Sequence, residues 1–568
     1  MQAREWRKLS APIWLRPIAV ATRDVSGMYQ SGLHRPVLPS VDDTRAVAEH
    51  PCSAGVFRQN STQDDTNENS SSLLWEQEAG SSSLLSPTIS SVVHRVANSG
   101  MNSGALPVGV LDELCAAVGV AHVRTGDAIR ELDPGQHQGN LGASAVVSPG
   151  STAEVAAVVR ICAALQIPIV SHGGRTGLVG GGISRPGEVV LSLRRMNSVE
   201  PLVPADRVAI VDAGCTLESL QTISAERRLE PGIDLAARGS ATIGGMVSTN
   251  AGGVMAFRNG VMRHRVLGLE AVLPDGSVYS DLTQVVKNSA GYDLKHLFIG
   301  AEGTLGVVTR VAIKLDPMPA VTATAMLGLP SVAAALDAIR FALDADAGHL
   351  RAAEAMWHGY LQLTATALEW GGAGIGFDHP VYLLLLLGGA DDDALHRSLE
   401  RVFEATAAQH PMTEGIVAGS ARQAAELWRL REDTDLIYRA HPGSPSYDVS
   451  VPSSQIEAYA ASVFAGLAAI DPTLVPYVFG HIADGNLHVC INRPGTIPHE
   501  LHQQIDDLIY RDVRRLGGSF SAEHGVGSER IGPMFDTTDP TKLHLMRVVK
   551  STLDPHNLMN PGKVLPVL

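Results

Sequence analysis

Apolar and polar residues alternate in a strand-and-helix pattern from about residue 141 onward. The apolar run at 145–147 predicts a strand, and the pattern at 152–164 predicts a helix that Ser151 caps at its N-terminus. A second short apolar run, at 167–170, predicts the next strand. Further strands are predicted at 189–193 and 207–211, and a helix at 217–228. Strands that alternate with helices predict an α/β domain.

The pattern changes after Pro317. Alanine-rich helical segments at 332–343 and 395–408 alternate with strands such as 382–387, which predicts a second, α+β domain. Before residue 141, residues 110–118 have a helical pattern. The predicted organisation is a helical N-terminal segment at 101–140, an α/β domain at 141–318 and the second domain at 319–568.

Residues 1–100 differ from the rest of the chain in composition. The stretch 60–72 is almost wholly polar, and serine is frequent in the residues that follow. Such a sequence cannot bury enough apolar surface to offset the entropy lost on ordering, so we predict a disordered, serine-rich extension. Compact sequence begins near Met101, and whether the extension belongs to the mature protein stays open.

Charge and cysteine content exclude several classes of protein. The formal net charge of −15 argues against nucleic acid or an anionic membrane as the main partner. The five cysteines are scattered without a C-x-x-C pair, which excludes a disulfide framework and a Cys-ligated iron–sulfur cluster within this chain. The longest apolar run, 381–387, is too short to span a bilayer. We expect a cytoplasmic protein without a transmembrane segment, and the arginine-rich N-terminus leaves the mitochondrion as the alternative.

Three blocks of small residues mark the α/β domain. Residues 171–182 hold six glycines in twelve positions directly after a predicted strand, which lets backbone N–H groups approach an anion. The loop matches neither the Rossmann nor the P-loop motif, and by itself it could be an ordinary surface loop. Residues 239–253 and 288–308 are also rich in glycine and small side chains. One extended cofactor lying against all three blocks accounts for them together.

Two histidines flank a turn near the end of the chain. Asp484-Gly485 predicts a two-residue hairpin turn, which would place His481 directly opposite His488 with Cβ atoms roughly 4.5–5.5 Å apart. That spacing allows both imidazoles to bind one metal ion. The alternative is a pair of surface histidines on either side of a turn.

The three small-residue blocks resemble the FAD-binding domain of flavoproteins of the vanillyl-alcohol oxidase type. The similarity is to the branch that holds D-2-hydroxyglutarate dehydrogenase, D-lactate dehydrogenase and the glycolate oxidase flavin subunit. It implies an α+β fold: a two-subdomain α/β FAD-binding domain followed by a C-terminal α+β substrate (cap) domain. Covalent members carry His where this chain has Thr176, so the resemblance implies non-covalent FAD.

The resemblance also implies the residues that contact FAD. They comprise Pro149 before the first helix of the domain, the glycine loop, the two further blocks and one residue of the C-terminal segment. They are Pro149, His172, Gly173, Gly174, Arg175, Thr176, Gly177, Gly180, Gly181, Gly239, Ser240, Thr242, Gly244, Gly245, Ser248, Thr249, Ala251, Gly252, Gly253, Glu302, Gly303, Gly306, Val307 and Asn560.

The segment 521–527 supplies the remaining groups of a catalytic site. The resemblance matches Glu523 to the family's metal carboxylate and His524 to its catalytic base. With His481 and His488, Glu523 forms a set typical of a catalytic divalent metal, most simply Zn²⁺, although Mn²⁺ or Fe²⁺ also fits. The resemblance further matches Arg431 to the residue that binds the substrate carboxylate.

Three substrate positions depart from the 2-hydroxyglutarate pattern. Family members that act on this diacid carry Thr, Lys and Asn where this chain has Asp435, Ser446 and Cys490. Loss of the lysine together with the added Asp435 disfavours a dicarboxylate. Ser446 is closer to the D-lactate branch, whereas the flavin blocks are closer to the 2-hydroxyglutarate branch.

The sequence therefore predicts FAD-dependent, metal-assisted oxidation of a D-2-hydroxy acid to the 2-oxo acid. The predicted electron acceptor is an electron-transfer flavoprotein, a quinone or a cytochrome, and a homodimer is one option for the assembly. The alternative function is a D-lactate dehydrogenase or a glycolate oxidase flavin subunit with the same mechanism. A flavin subunit that only carries electrons is disfavoured, because electron transfer alone needs neither a base nor a metal.

Overall fold

A computed structural model describes residues 105–344, 348–372, 374–441 and 443–566. The predicted disordered extension at 1–100 lies outside these residues. Within the described part of the chain, no helix is both long and apolar enough to cross a membrane.

The first part of the molecule is a four-stranded sheet with the order β1-β2-β4-β3. Strands β2, β4 and β3 are parallel, and β1 joins β2 in the antiparallel direction. The region before residue 141, predicted as helical, thus also contributes a strand to this sheet. The elements are α1 (Val110–Val118), β1 (Val123–Thr125), α2 (Asp127–Arg130), β2 (Ala145–Val147), α3 (Thr152–Ala164), β3 (Ile169–His172) and β4 (Val189–Ser192).

Helix α3 has the predicted bounds because its first turn is capped. The Ser151 hydroxyl accepts a hydrogen bond from the Glu154 amide, and the Glu154 carboxylate in turn accepts one from the Gly150 amide at 2.7 Å. The strand predicted at 167–170 lies two residues later. The observed strand, β3, therefore includes Ser171 and His172, the first two residues of the predicted loop.

The second part is an antiparallel sheet with the order β5-β9-β7-β8. The block 239–253, noted in the sequence for its glycines and small side chains, contains a helix, α5, which Thr242 caps by accepting from the Gly245 amide. The elements are β5 (Val208–Asp212), α4 (Leu217–Ala225), β6 (Leu229–Glu230), α5 (Ile243–Thr249), α6 (Ala256–Asn259), α7 (Met262–Arg265), β7 (Val266–Val272), β8 (Val278–Asp281), α8 (Lys295–Phe298) and β9 (Val307–Lys314).

Helix α4 is shorter than predicted. It ends at Ala225 rather than near Arg228, because Arg228 adopts a left-handed conformation with φ 56°, which a helix cannot continue through.

The third part is a seven-stranded antiparallel sheet with the order β14-β11-β13-β12-β16-β17-β15. Strand β10 pairs instead with β6 of the second part. The elements are β10 (Asp316–Pro317), β11 (Val321–Leu329), α9 (Val332–Leu343), β12 (Gly348–Trp357), α10 (His358–Ala367), β13 (Val381–Gly389), α11 (Asp392–Gln409), β14 (Glu414–Val417), α12 (Ala421–Glu432), α13 (Asp435–Ala440), β15 (Ser446–Ser450), α14 (Ile456–Ile470), β16 (Val475–Gly480), β17 (Asn486–Asn492), α15 (His499–Tyr510), α16 (Ile531–Thr537) and α17 (Pro540–Leu553).

Both faces of the seven-stranded sheet are covered. Helices α9, α11, α14 and α15 pack on one face, and their apolar side chains form the largest buried cluster. Helices α10, α12 and α13 pack on the other face, where Met356, Tyr477 and Phe479 are buried. Because side chains alternate along a strand, this second face also receives Glu354, Asp448 and His488. The predicted α+β fold is confirmed.

The predicted hairpin register at Asp484-Gly485 is wrong. Residues 482–484 form a short 3₁₀ turn, and His488 pairs with Phe479 rather than with His481. The reason is that the Ile482 side chain is completely buried in the main core, which draws the connection inward and lengthens it. Only Gly485 of the predicted two-residue turn has a positive φ, at 80°.

Candidate active site

The glycine loop lies directly against the block that begins at residue 239. A Cβ atom on Gly174 would collide with the backbone oxygen of Ser240, and one on Gly173 would collide with the Thr242 hydroxyl. Only glycine permits this approach of two backbone segments. The next residues, 175–177, are partly or fully exposed, and no atom lies within 4 Å of a Cβ built on Gly177. The loop thus keeps an open side.

The C-terminal segment ties these blocks together through Asn560. Its side-chain amide donates to the carbonyl oxygens of Gly181 at 3.1 Å and Glu302 at 2.7 Å, and its backbone amide donates to Ile169 at the start of β3. The Asn560 side-chain oxygen is buried and lacks a hydrogen-bond partner. Since buried polar atoms are almost always satisfied, a donor from a bound group is expected there.

Positive charge is concentrated beside the glycine loop. Burial, followed by the neighbouring charge of Arg194, lowers the pKa of Arg175, and the Arg175 Nε atom is buried without a partner. An anion would satisfy this guanidinium and offset the repulsion between the two cations. The loop, the unpaired Arg175 Nε atom and the two cations therefore fit the pyrophosphate of FAD. Arg194 is a residue that the sequence did not reveal.

His172 is fixed at the entrance of the loop as a neutral imidazole. Its Nε2 atom contacts the Gly182 carbonyl at 2.8 Å, so it carries the proton, while Nδ1 is buried without a partner. Complete burial lowers the pKa of His172 to about 4. This imidazole is uncharged at neutral pH and presents Nδ1 as a free acceptor.

Glu302, a predicted cofactor contact, also supports a neighbouring loop. Its carboxylate accepts hydrogen bonds from the amides of Val526 at 2.7 Å and Gly527 at 2.8 Å, and burial raises its pKa. It thereby anchors the loop that carries Glu523 and His524 to the third small-residue block.

The other residues of the three blocks lie on the same segments. Gly252 and Gly253 stand next to Glu523, since the Gly253 amide donates to Glu523 Oε1 at 2.6 Å. Val307 begins β9 with its side chain buried in the core. The remaining positions are Pro149 before α3, Thr176 on the glycine loop, Gly239 before α5, Gly244, Ser248 and Thr249 on α5, Ala251 after it, and Gly303 and Gly306 before β9.

The predicted metal ligands come together despite the different hairpin register. His481, His488 and Glu523 each place one ligand atom within 4.8 Å of the others. The two imidazole rings are 5.3 Å apart and nearly perpendicular, and His481 Nε2 is 3.5 Å from the Glu523 carboxylate. Two nitrogens and one oxygen at these separations fit a single divalent cation with an open coordination position.

A buried carboxylate that the sequence did not reveal orients one of these ligands. Glu354, on β12, accepts from His481 Nδ1 at 2.7 Å and pairs with Arg431 at 2.7 Å, and its side chain is completely buried. Because Nδ1 is held by this contact, Nε2 is left to bind a metal. Arg431 also stacks over the Phe479 ring, with its guanidinium carbon 4.8 Å from the ring centroid.

The charges of the cluster are mutually dependent. Burial opposes the charged form of His481, but Glu354 and Glu523 outweigh it and raise the His481 pKa well above its usual value. Burial likewise opposes ionisation of Glu523, yet His481 lowers the Glu523 pKa to about 2. His488 differs, because burial lowers its pKa to about 3. The cluster therefore presents an ionised carboxylate, Glu523, and a neutral imidazole, His488, as metal ligands, whereas a metal must displace the proton of His481 Nε2 in order to bind there.

His524 lies parallel to His488. The two rings are 5.5 Å apart with an angle of 10°, and the Nδ1 atom of His524 faces Asp448 at 3.9 Å. The predicted base is thus adjacent to the predicted metal ligands.

Two of the predicted substrate residues lie on the strands β15 and β17. Cys490 follows His488 by two residues on β17, and Ser446 stands opposite Cys490 on β15. The Cys490 thiol is 3.6 Å from the Ser446 hydroxyl and 4.0 Å from the Tyr438 hydroxyl, so these three uncharged side chains form one group. Asp435 begins α13 and is exposed.

The sequence did not reveal four residues near the site, namely Asp448, Glu354, Tyr438 and Arg194. A usable signal did exist for the first two: each is a single carboxylate within a short apolar stretch of a strand, in Ala-Ala-Glu-Ala-Met and in Tyr-Asp-Val. Such a residue cannot be buried without partners, which makes it a site candidate.

Two protein families match separate parts of this chain. Residues 143–281 match the family described as FAD binding domain, and residues 318–564 match the family described as FAD linked oxidases, C-terminal domain. A D-2-hydroxyglutarate dehydrogenase of Xanthomonas citri pv. viticola is 37% identical over 425 residues, which cover 74% of this chain and 89% of the relative. The chain belongs to the FAD-linked oxidases. Within that family it groups with FAD-dependent D-2-hydroxyacid dehydrogenases, oxidoreductases that act on CH–OH groups.

Further relatives extend this result. The mitochondrial D-2-hydroxyglutarate dehydrogenase of Bos taurus is 35% identical over 425 residues, covering 74% of this chain and 76% of the relative. Among solved structures, 4-ethylphenol oxidase from Gulosibacter chungangensis matches with a TM-score of 0.63 at 19% identity, over 81% of this chain and 99% of that one. A p-cresol methylhydroxylase matches with the same TM-score and identity, over 80% and 96%. These structures share the fold.

Proposed function

We propose that the protein oxidises a D-2-hydroxy acid to the 2-oxo acid with the help of a divalent metal held by His481, His488 and Glu523. The observation that carries the proposal is the convergence of these three ligands with His524 and Arg431 beside the small-residue blocks. When bound, the flavin supplies the hydride acceptor and the cation supplies Lewis acidity toward the substrate hydroxyl. Zn²⁺ is the simplest cation, and Mn²⁺ or Fe²⁺ also suits this donor set.

The remaining steps, substrate binding, proton transfer and cofactor binding, are carried out by residues of the protein. Arg431 binds the substrate carboxylate, for which a planar guanidinium offers two parallel donors. His524 Nε2 takes the hydroxyl proton as the C–O bond becomes a carbonyl, and the hydrogen on Cα leaves with its electron pair. The glycine loop, with Arg175 and Asn560, holds FAD non-covalently, since Thr176 cannot form the histidyl link of covalent members.

The two candidate functions differ in the side chain of the substrate. The names of the relatives support a substrate of the 2-hydroxyglutarate type. The uncharged group of Ser446, Cys490 and Tyr438 favours the second candidate, a shorter monocarboxylate such as D-lactate or glycolate, because it offers no cation to a second carboxylate.

The electron acceptor and the assembly are also proposed. Electrons pass to an electron-transfer flavoprotein, a quinone or a cytochrome, and the assembly is a homodimer. We propose a cytoplasmic location, with the mitochondrion as the alternative.

The test is anaerobic reduction of the bound flavin by a panel of 2-hydroxy acids. Both enantiomers of lactate and 2-hydroxyglutarate are mixed with the oxidised protein, and bleaching of the flavin absorbance is followed. Bleaching by D-enantiomers but not by L-enantiomers supports the proposal. D-Lactate acting at a lower concentration than D-2-hydroxyglutarate selects the second candidate. No bleaching by any 2-hydroxy acid contradicts the proposed function.

A further inference from the structure

Asp448 is a completely buried carboxylate at the centre of the active site, although it belongs to neither the proposed metal ligands nor the proposed base. It lies on β15 between the apolar residues Tyr447 and Val449, whose side chains point into the core on the opposite face of the sheet. A buried carboxylate is costly unless it is fully hydrogen-bonded and paired. The groups around Asp448 show how that cost is met.

One carboxylate oxygen of Asp448 holds the loop that carries the catalytic groups. Its Oδ2 atom accepts from three consecutive backbone amides: Ala522 at 3.1 Å, Glu523 at 2.8 Å and His524 at 2.8 Å. Three N–H groups directed at one oxygen fix the backbone path of the loop. They therefore fix where the Glu523 and His524 side chains leave it.

The two imidazoles and two further groups complete the surroundings of Asp448. His524 Nδ1 lies 3.9 Å from Oδ2, and His488 Nδ1 lies 3.6 Å from Oδ1. Asn486 donates to Oδ1 at 2.8 Å, and the Arg530 guanidinium lies 3.6 Å from Oδ2. Both rings thus turn Nδ1 toward the same carboxylate. The Nε2 atom of His488 is thereby left for the metal, and the Nε2 atom of His524 is left for the substrate.

We propose that Asp448 is a positioning residue for the oxidation: it sets the loop 522–524 against β17 and holds the ring of His524 parallel to His488, so that the base faces the substrate bound at the metal. This inference rests on the proposed function. Asp448 acts through the loop and through His524 and His488, the groups that surround its carboxylate.

A second metal ion bound by Asp448, His488 and His524 is the competing interpretation, since their ligand atoms also lie within 4.8 Å of one another. The guanidinium of Arg530 argues against it. A fixed positive charge beside Oδ2, together with the three amide N–H groups, already satisfies the carboxylate and would repel another cation.

The test uses Asp448→Asn in the flavin-loaded protein. The variant keeps the size of the side chain but removes its charge, and its NH₂ group cannot accept from the loop amides. We expect flavin to remain bound, metal affinity to fall about 10- to 100-fold through His488, and anaerobic flavin reduction to be about 100-fold slower even with saturating metal. The apparent dissociation constant for the D-2-hydroxy acid should change little, because Arg431 is not in contact with Asp448.

The matched control is Asp506→Asn. Asp506 accepts from the Tyr447 hydroxyl at 2.6 Å and so contacts the same strand from the opposite face of the sheet. We expect its flavin reduction rate to stay within about twofold of the wild type, since surface substitutions away from a site have small effects.

Three results for Asp448→Asn would overturn the proposal. They are a reduction rate equal to that of the wild type, a slow rate that excess metal restores completely, and loss of flavin together with a lowered melting temperature. The second result would mean that Asp448 acts only on the metal ligand, and the third that it is only structural. Failure of the proposed function itself is distinguishable, because the wild type would then not be reduced by any 2-hydroxy acid.

Discussion

Glu354 offers a direct way to uncouple His481, a proposed metal ligand, from Arg431, the proposed partner of the substrate carboxylate. Its carboxylate lies between His481 Nδ1 and Arg431 at 2.7 Å from each, and it is completely buried. In Glu354→Gln, only one oxygen remains to accept. One of the two donors therefore faces the NH₂ group of the new side chain, and Arg431 loses its buried counter-charge.

The expected size of the effect follows from burial. Breaking a buried ion pair by removing one partner costs about 3–5 kcal/mol, and Arg431 is only 7% exposed, so solvent screens it little. A neutral amide is a weaker acceptor for His481 Nδ1 than the carboxylate, so metal binding should weaken by about 10- to 100-fold, which corresponds to about 1.4–2.8 kcal/mol. The expected changes in unfolding free energy and in metal affinity are both large enough to be measured.

The assay combines two titrations of the same variant. Urea unfolding gives the free energy of unfolding, and adding metal back to metal-free protein while following anaerobic flavin reduction gives the metal affinity. Glu426→Gln is the control: it makes the same change on α12 in an exposed pair with Arg422, for which about 0.5 kcal/mol or less is expected. A Glu354→Gln protein with metal affinity within twofold of the wild type and less than about 1 kcal/mol of destabilisation would refute this reasoning.

Three further predictions concern the cofactor loop and the contact between the domains. Gly174→Ala should yield protein with little bound flavin, measured by absorbance, because its Cβ would displace the Ser240 backbone. His172→Gln should make the acid side of the stability curve shallower in urea unfolding at a series of pH values. The folded pKa of about 4 lies below the ordinary 6.5, so His172 stabilises the fold by about 3 kcal/mol above pH 6.5 and loses this as pH falls toward 4. Arg351→Met should cost about 3–5 kcal/mol of unfolding free energy, because it leaves Glu230 buried without its bidentate partner.

Each of these predictions has a clear counter-result. Normal flavin content in Gly174→Ala would mean that the loop is not packed as described; Gly532→Ala, where no atom lies within 4 Å of the new Cβ, is the control. An unchanged slope between pH 6.5 and 4 would show that His172 is not buried neutral. Less than about 1 kcal/mol lost in Arg351→Met would show that the pair between β12 and β6 is solvated.

The local signals in the sequence predicted the regular elements well. Ser151 and Ser331 both accept from the amide three residues later, and the helices that they cap, α3 and α9, have the predicted bounds. The failure at 484–485 has a different origin. A hairpin turn is a local pattern, but burial of Ile482 in the main core is a tertiary effect that overrides it.

The sequence predicted only those site residues that belong to short, recognisable motifs. His481, His488 and Glu523 are recognisable from nearby glycines and histidines. The carboxylates that orient them are not: Glu354 is 127 residues from His481, and Asp448 is 76 residues from His524. Contacts of that range depend on which strands become neighbours, and the order of the seven-stranded sheet has no local signature.

The central claim is that His481, His488 and Glu523 hold a divalent cation on which the oxidation depends. The most direct measurement is the rate of anaerobic flavin reduction by a D-2-hydroxy acid in metal-free protein, with metal removal verified by elemental analysis and FAD still bound. The account predicts a rate at least about 100-fold below that of the metal-loaded protein, restored by one equivalent of Zn²⁺, Mn²⁺ or Fe²⁺. A metal-free protein that is reduced as fast as the loaded one would contradict it.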